Sequence, residues 1–176
     1  GDVVLRVHYC GVCGSDLHAI HPGLFTVKEG TVLGHEFAGE IVESGATAWK
    51  VGERATALPN NACRACTDEG FRECRDGLGM ICPHNRLTGF SPNRPGALAE
   101  YVKVPAGQAI RLPGAVNARE GAMIEPLAVG LHAVQSGQVG LGCKVLVIGA
   151  GPIGLAVTAF ARQAGATPVA VSERAP

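Results

Sequence analysis

Three residues in the first part of the chain carry side chains that bind transition metals. Cys13 begins the segment CGSDLH, and His35 and Glu36 lie together in the segment GHE. Zinc prefers a thiolate and an imidazole, at about 2.3 and 2.0–2.1 Å, and the carboxylate of Glu36 is either a third ligand or a partner of the imidazole. A site with so few protein ligands leaves one position open, so that the metal acts as a Lewis acid. We therefore predict a catalytic metal centre.

A glycine-rich segment in the last part of the chain predicts a phosphate-binding loop. The segment GAGPIG begins at Gly149, follows the apolar run VLVI and precedes a run typical of a helix. In such a fingerprint Gly149 permits the tight turn, Gly151 lets the backbone approach a pyrophosphate, and Gly154 lets helix and strand pack closely. The helix begins at Pro152 and Ile153, and its positive end faces the phosphates.

The residues after the next predicted strand bear on the choice of dinucleotide. Glu173 lies 19 residues after Gly154, where an acid holds the ribose hydroxyls. This favours NAD, because the 2′-phosphate of NADP would meet a negative charge. Arg174 is adjacent and can accept that phosphate, so NADP is the alternative.

These motifs and several others give the chain a resemblance to a known enzyme family. The matching segments are GVCGSDLH, VLGHEFAGEIVESG, VGERA, GALAEYV, EPLAVGLHAV and VLVIGAGPIGLA. The chain resembles the zinc-dependent medium-chain alcohol and polyol dehydrogenases, the group that contains sorbitol, butanediol and threonine dehydrogenases. The resemblance extends from Cys10 to Glu173. It implies zinc-dependent hydride transfer between a small secondary alcohol or polyol and NAD, or less readily NADP.

The resemblance also implies roles for four further residues. Glu125 occupies the place of the next zinc ligand, and it would bind directly or through a water. Asp16 would accept a hydrogen bond from the ring of His35, as carboxylates do for zinc-binding imidazoles. Ser15 and His18, three residues apart on one face of a helical turn, would form a proton relay that ends on an imidazole able to titrate near neutral pH.

A second group of cysteines has the spacing Cys63-x2-Cys66-x7-Cys74-x7-Cys82. Four thiolates form a closed, tetrahedral structural zinc site, and the family carries a four-cysteine lobe with a tighter middle spacing. In the register that we prefer, all four cysteines bind zinc and the lobe contains an insertion. In the other register Asn60 takes the place of the first ligand and Cys82 is spare. Reduced thiols without a metal are the third interpretation.

The pattern of short strands broken by Gly, Pro and Asn predicts a mostly-β first domain. The strand candidates are Val3–Val7, Phe37–Val42, Arg54–Leu58 and Leu98–Val104. The resemblance implies a GroES-like catalytic domain, which we place at residues 1–125. Residues 126–176 would form the start of an α/β Rossmann (doubly wound) cofactor domain.

A helical pattern of residues that starts near Asn117 marks the change from the first domain to the second. Asn117 and Glu120 form a capping pair ahead of a helical run through Ala133, and Pro126 predicts a kink or a helix restart. A strand, the glycine loop, a helix over Ile153–Ala164 and a second strand then give the first β-α-β unit of a parallel sheet.

Composition limits the classes of partner. The chain has 176 residues, a formal net charge of +0 and a pI of about 7.1, which does not favour nucleic acid or an anionic membrane. No apolar run approaches the roughly 20 residues that span a bilayer. Cysteines at metal-ligand spacing without a signal peptide favour a reducing cytoplasm. The resemblance implies a small-molecule substrate and a homo-oligomer for the full-length protein.

Other functions fit the same residues. A zinc-dependent reductase or lyase could use the same scaffold. Alternatively, the cysteine group could be the zinc site of a zinc-ribbon binding module. Measured against the family pattern, we expect a fragment that lacks the first strands and the second half of the nucleotide fold. A dinucleotide spans two mononucleotide halves, so we expect the chain alone to be a non-catalytic zinc-binding fragment.

Overall fold

The structure, a computed structural model, describes residues 1–21, 27–61, 81–82 and 84–174. The chain divides into two compact units, Gly1–Met123 and Ile124–Pro176. The predicted boundary, between residues 125 and 126, lies two residues from this division. The predicted ligands Cys63, Cys66 and Cys74 lie outside the described residues. Within the described ranges, no helix has the length and apolarity that crossing a membrane requires.

The first unit is built on an antiparallel sheet of five strands, with a small two-stranded ribbon beside it. The strands are β1 (Asp2–Gly11), β2 (Glu36–Ser44), β3 (Arg54–Ala57), β4 (Asn60–Asn61), β5 (Arg86–Leu87), β6 (Tyr101–Pro105) and β7 (Ala109–Arg111). The large sheet has the order β6-β1-β2-β3-β7, and β4 pairs with β5. Among its described residues the unit also contains two short helices, α1 (Gly14–Ile20) and α2 (Ala118–Ala122). Each of the four strands predicted from the sequence overlaps a strand of the sheet, although Leu58 and residues 98–100 lie outside β3 and β6.

The core of the first unit lies on one face of this sheet. Alternate residues of a strand point to the same face, and the fully buried side chains follow this period on β1, where they are Val3 and Leu5. Phe37 and Ile41 on β2 are also fully buried. Because these strands are locked by core packing on one face, their register is fixed, and with it the position of the residues at their ends.

The second unit is a single β-α-β layer with one additional helix. Its elements are α3 (Ile124–Ser136), β8 (Val145–Ile148), α4 (Pro152–Gln163) and β9 (Val169–Ser172). Strands β8 and β9 are parallel, as the sequence predicted. Helix α3 restarts after a break at Met123 and carries Pro126 in its first turn, where the missing N–H leaves no helical hydrogen bond unmade. Gly130 lets α3 approach Ala156 of α4 closely.

Candidate metal centre and nucleotide loop

The pairing of β1 with β2 brings the first metal-binding residues together. Gly11, the last residue of β1, is the register partner of Glu36, the first residue of β2. Cys13 follows two residues after the end of β1 and is the N-cap of α1. The sheet register therefore places the thiol of Cys13 beside the segment that carries His35 and Glu36, although 22 residues separate Cys13 from His35 in the sequence.

The three side chains form a cluster of metal donors. One donor atom each from Cys13, His35 and Glu36 lies within 4.8 Å of the other two, and His35 is buried while the others are half-buried. Metal–ligand bonds of about 2.0–2.3 Å let one ion reach all three atoms after small side-chain adjustments. One thiolate, one imidazole and one carboxylate are the ligand types of zinc. The residues present therefore fit the predicted metal.

Cys10 lies near this cluster and is chemically distinct from Cys13. Its side chain is half-buried and packs against the core of the sheet. Burial, together with the negative charges of Asp16 and Glu36, raises the pKa of Cys10 to about 11. At neutral pH Cys10 is therefore a neutral thiol, and it is not a member of the donor cluster.

Asp16 lies beneath His35 and ties the cluster to α1. Its Oδ2 atom accepts a hydrogen bond of 2.9 Å from the N–H of Cys13, so the carboxylate caps the start of the helix. Its Oδ1 atom lies 3.7 Å from Nδ1 of His35, and both atoms are buried without a hydrogen-bond partner. The distance is longer than a hydrogen bond, and the two atoms face one another as the predicted carboxylate–imidazole pair requires.

Three glycines enclose the backbone just before His35. Gly34 has a φ of 98°, in the left-handed region, and a Cβ at this position would meet the backbone of Leu98 and the sulfur of Cys10. A Cβ at Gly89 or at Gly96 would press against the backbone of Gly34. The N–H of Ala97 donates to the carbonyl of Gly34 at 2.9 Å. This close packing fixes the backbone from which the imidazole projects.

The sequence analysis missed the supporting roles of Gly11, Gly89 and Gly96. A Cβ at Gly11 would collide with the side chain of Glu36, so that glycine leaves room for the carboxylate. The sequence shows these glycines, but only the sheet register and the loop packing reveal what they contact. A signal would have been the position of Gly11, two residues before the CGSDLH segment.

The other residues predicted for the first site occupy defined places. Ser15 and His18 lie on α1, half-buried and exposed respectively, so their spacing of three places them on one face of the helix. Glu125 lies in the first turn of α3, in the second unit, and is half-buried. The donor cluster itself lies wholly within the first unit.

Cys82 is the one described member of the predicted structural zinc group. It is buried, with 5% of its surface exposed. The N–H of His84 donates to its sulfur at 3.3 Å, and the N–H of Asn85 donates to its carbonyl at 2.9 Å. This tight turn directly precedes β5, whose partner β4 ends just before the segment that carries the other three cysteines.

The glycine loop has the backbone that the fingerprint requires. Gly149 has a φ of 101°, which a residue with a Cβ rarely adopts. Gly151 is the N-cap of α4, followed by Pro152 in the first turn, and a Cβ at Gly151 would meet nothing within 4 Å. Gly154 lies against the carbonyl of Gly149. Open space at Gly151, together with the N–H groups that the start of a 12-residue helix leaves without a helical acceptor, fits a pyrophosphate.

Glu173 lies beside this loop at the end of β9. Its Oε2 atom accepts a hydrogen bond of 2.7 Å from the N–H of Ala150, and its Oε1 atom accepts one of 2.6 Å from the N–H of Arg174. The predicted ribose-binding acid and the predicted phosphate loop thus meet in the structure. Ile153 of the loop is partly exposed, at 40%.

With both sites described, comparison with known proteins decides the family. Residues 1–114 match the alcohol dehydrogenase GroES-like domain. The chain belongs to the zinc-dependent medium-chain alcohol and polyol dehydrogenase family. The resemblance stated from the motifs is therefore confirmed, and so is the fold class, a mostly-β GroES-like domain followed by the start of a Rossmann domain.

Individual relatives include enzymes named for a sugar alcohol and for a ketose sugar. The chain is 41% identical over 172 residues to a sorbitol dehydrogenase of Arabidopsis thaliana, covering 95% of this chain and 45% of the relative. It is 38% identical over 181 residues to a D-xylulose reductase of Scheffersomyces stipitis, covering 97% and 48%. Among solved structures, one described as a zinc-binding dehydrogenase of Sinorhizobium meliloti 1021 bound to NADP has a TM-score of 0.90 and 39% identity, covering 99% of this chain and 49% of that one. The chain spans about half the length of the curated relatives it matches.

Proposed function

We propose that the full-length protein is a zinc-dependent oxidoreductase that transfers hydride between a small secondary alcohol or polyol and a nicotinamide dinucleotide. The observation that carries the proposal is the donor cluster of Cys13, His35 and Glu36, with its atoms within 4.8 Å of one another. Three protein ligands leave a position for a substrate oxygen, which separates a catalytic zinc site from a structural one. The names of the relatives support an alcohol or polyol as the substrate.

The chain's own residues would hold the metal and the substrate in place. Cys13, His35 and Glu36 are the proposed ligands, and Glu125 of the second unit is the proposed further ligand, directly or through a water. When bound, zinc in such a site acts as a Lewis acid that lowers the pKa of an alcohol hydroxyl. Asp16 would orient the imidazole of His35 by accepting a hydrogen bond from its Nδ1 atom. A carboxylate oxygen of Asp16 lies 3.7 Å from that atom.

Ser15 and His18 are the proposed route for the proton that leaves the alcohol. Ser15 follows Cys13 by two residues and is half-buried, and His18 lies one turn further along α1 and is exposed. A hydroxyl can accept one hydrogen bond while it donates another, and an imidazole carries one nitrogen that accepts and one that donates. The pair can therefore carry a proton from a half-buried site to solvent.

The glycine loop would bind the dinucleotide, which supplies the redox chemistry. Gly149 gives the loop its tight turn, and Gly151 leaves open space for the phosphates to approach the backbone. Gly154 lets the helix pack closely on the loop. Glu173 directs a carboxylate at the same loop, and this charge favours the ribose hydroxyls of NAD over the 2′-phosphate of NADP. Arg174 is the adjacent residue that would accept that phosphate, and the Sinorhizobium relative is bound to NADP. We propose NAD as the preferred cofactor.

We also propose a structural zinc bound by Cys63, Cys66, Cys74 and Cys82. Support comes from the turn at Cys82, which is buried and directs an N–H at the sulfur. A spare cysteine has no need of such a turn, so this geometry favours the register in which all four cysteines bind. In the alternative register Asn60 takes the place of the first ligand, and Cys82 does not bind zinc.

The function is tested with the full-length protein, a panel of secondary alcohols and polyols that includes sorbitol, and NAD or NADP. We expect formation of reduced nicotinamide that chelators abolish. Cys13→Ser and His35→Ala should each abolish turnover and leave the cysteine-group zinc in place. Cys10→Ala is the matched control, because Cys10 lies beside the cluster without joining it. Wild-type turnover in both ligand variants would show that the catalytic assignment is wrong.

A further inference from the structure

For a nitrogen of the His35 imidazole to face a metal, rotation of the ring about χ2 must be restricted. The ring is buried, with 6% of the residue exposed, and its Nδ1 atom has no hydrogen-bond partner. The χ2 torsion of histidine has broad, roughly two-fold wells, so the backbone of Gly34 alone does not set the direction of the ring nitrogens. Asp16 lies opposite that nitrogen at 3.7 Å, so it acts on one edge of the ring, and a contact with a ring face would restrict the rotation further.

Phe90 contacts this ring directly. The centroids of the His35 and Phe90 rings are 5.3 Å apart and the ring planes are inclined by 55°. Aromatic pairs prefer offset or tilted arrangements with centroids about 4.5–7 Å apart, so this pair has a favourable geometry. A phenyl ring in this position blocks rotation of the imidazole on the side that it covers.

Phe90 is itself held in a tight turn after β5. The carbonyl of Leu87 accepts hydrogen bonds from the N–H groups of Phe90 and Ser91, at 3.1 and 3.0 Å. The hydroxyl of Ser91 accepts from the N–H of Leu87 at 3.0 Å. The N–H of Gly89 donates to the carbonyl of Arg94 at 2.9 Å. These bonds fix the backbone from which the phenyl ring projects toward the imidazole.

The same turn is docked on the segment that carries the ligand. Gly89, with a φ of 85°, lies against the backbone of Gly34, where a Cβ would come within about 3 Å of its atoms. Gly89 and Phe90 thus meet Gly34 and His35 as two consecutive pairs, backbone on backbone and then ring on ring. The position of the phenyl ring relative to the imidazole is therefore set by a backbone contact one residue away.

We propose that Phe90 is a positioning residue of the metal centre, which holds the imidazole of His35 in the orientation that binds the metal. The inference rests on the proposed zinc site and adds to it a residue that is not one of the proposed ligands. It predicts that the phenyl ring slows the loss of metal from the Cys13–His35–Glu36 site, even where no substrate or dinucleotide is present.

The test measures zinc release from the 176-residue chain to a chromophoric chelator. Cys13→Ser identifies which phase of release belongs to the proposed site, because it removes one ligand. We expect Phe90→Ala to release that zinc roughly 10-fold to 100-fold faster, the range found when groups that orient ligands are lost. Phe90→Tyr retains the ring and should restore the wild-type rate. Phe160→Ala, which truncates a half-buried phenylalanine packed in the second unit, is the matched control.

Cobalt in place of zinc gives a second readout, because its visible bands report the ligand geometry. We expect these bands to shift in Phe90→Ala and not in Phe90→Tyr or Phe160→Ala. Should Phe90→Ala fail to fold, Phe90→Leu retains the apolar volume without the ring and is expected to show the same faster release. An unchanged release phase in the folded variant, or an equal change in Phe160→Ala, would overturn the role of Phe90. Identical release from wild type and Cys13→Ser would instead overturn the metal centre itself.

Discussion

The Cβ position of Gly154 lies against the carbonyl oxygen of Gly149, so a side chain at residue 154 has no room. The contact joins the first turn of α4 to the loop that follows β8. It explains why two glycines five residues apart occur together, since Gly149 supplies the turn with its positive φ and Gly154 supplies the space.

The first prediction compares Gly154→Ala with Gly151→Ala. The added methyl at residue 154 must displace the loop backbone, and overpacking of this kind costs roughly 1–3 kcal/mol. At residue 151 a Cβ meets nothing within 4 Å, so the cost should stay below about 1 kcal/mol. Urea unfolding of the chain measures both. Gly151→Ala should instead weaken dinucleotide binding by the full-length protein, and equal stability of the two variants would contradict the packing argument.

How far the sequence predicts this molecule differs between its two sites. The glycine loop is local, so the spacing of Gly149, Gly151 and Gly154 was enough to predict the strand, turn and helix that the structure shows. The metal cluster is not local. The family motif identified Cys13 and His35, but the pairing of Gly11 with Glu36 that brings them together depends on sheet register.

Some features could not be predicted from the sequence at all. The contact between Phe90 and His35 joins residues far apart in the chain through the packing of one loop against another, and no periodicity marks it. Pro126 predicted a kink or a helix restart at its own position, whereas the break lies at Met123, because the helix that follows accommodates Pro126 in its first turn. The raised pKa of Cys10 depends on burial and on charges that only the fold brings near.

The second prediction concerns Asp16, which is almost fully buried and lies next to His35. In Asp16→Asn the side-chain oxygen can still accept from the N–H of Cys13, so the start of α1 should be retained. The negative charge that favours a metal-bound imidazole is lost, and zinc affinity should fall roughly 10-fold to 100-fold. Competition with a chelator measures the affinity. Glu40→Gln, on the exposed ion pair with Arg6, is a suitable control, and an equal loss there would argue against a specific role.

The third prediction concerns the register of the cysteine group. Cys82→Ser replaces the sulfur by an oxygen that can still accept the N–H of His84, so the turn itself should remain. If Cys82 is a ligand, zinc content should fall by about one equivalent and stability should drop, because structural zinc adds folding free energy directly. Elemental analysis and thermal unfolding provide the measurements. Unchanged zinc content and stability would favour the register that begins at Asn60.

The fourth prediction is a pH dependence that originates at an ion pair on the sheet. Arg111 donates to both carboxylate oxygens of Glu53, at 3.1 and 3.0 Å, and this contact, with the N–H of Lys50, lowers the pKa of Glu53. A lowered carboxylate pKa gives stability that is present above the ordinary value of 4.5 and is lost as the pH falls through the folded value. In Glu53→Gln the free energy of unfolding should therefore fall less steeply than in the wild type as the pH is lowered. The exposed pair makes this effect small, and an equally steep fall would show that it contributes nothing.

The last prediction concerns the choice of dinucleotide and rests on the bonds of Glu173. Its carboxylate accepts from the N–H groups of Ala150 and Arg174, so its charge is fixed beside the phosphate loop. A 2′-phosphate would meet this charge, whereas ribose hydroxyls would donate to it. We expect the full-length protein to prefer NAD, and we expect Glu173→Ala to raise the KM for NAD and to lower the discrimination against NADP. Arg174→Ala is the paired variant, and it should weaken NADP binding and leave NAD almost unaffected. A wild-type protein that prefers NADP tenfold, or about 1.4 kcal/mol, would show that Arg174 outweighs Glu173.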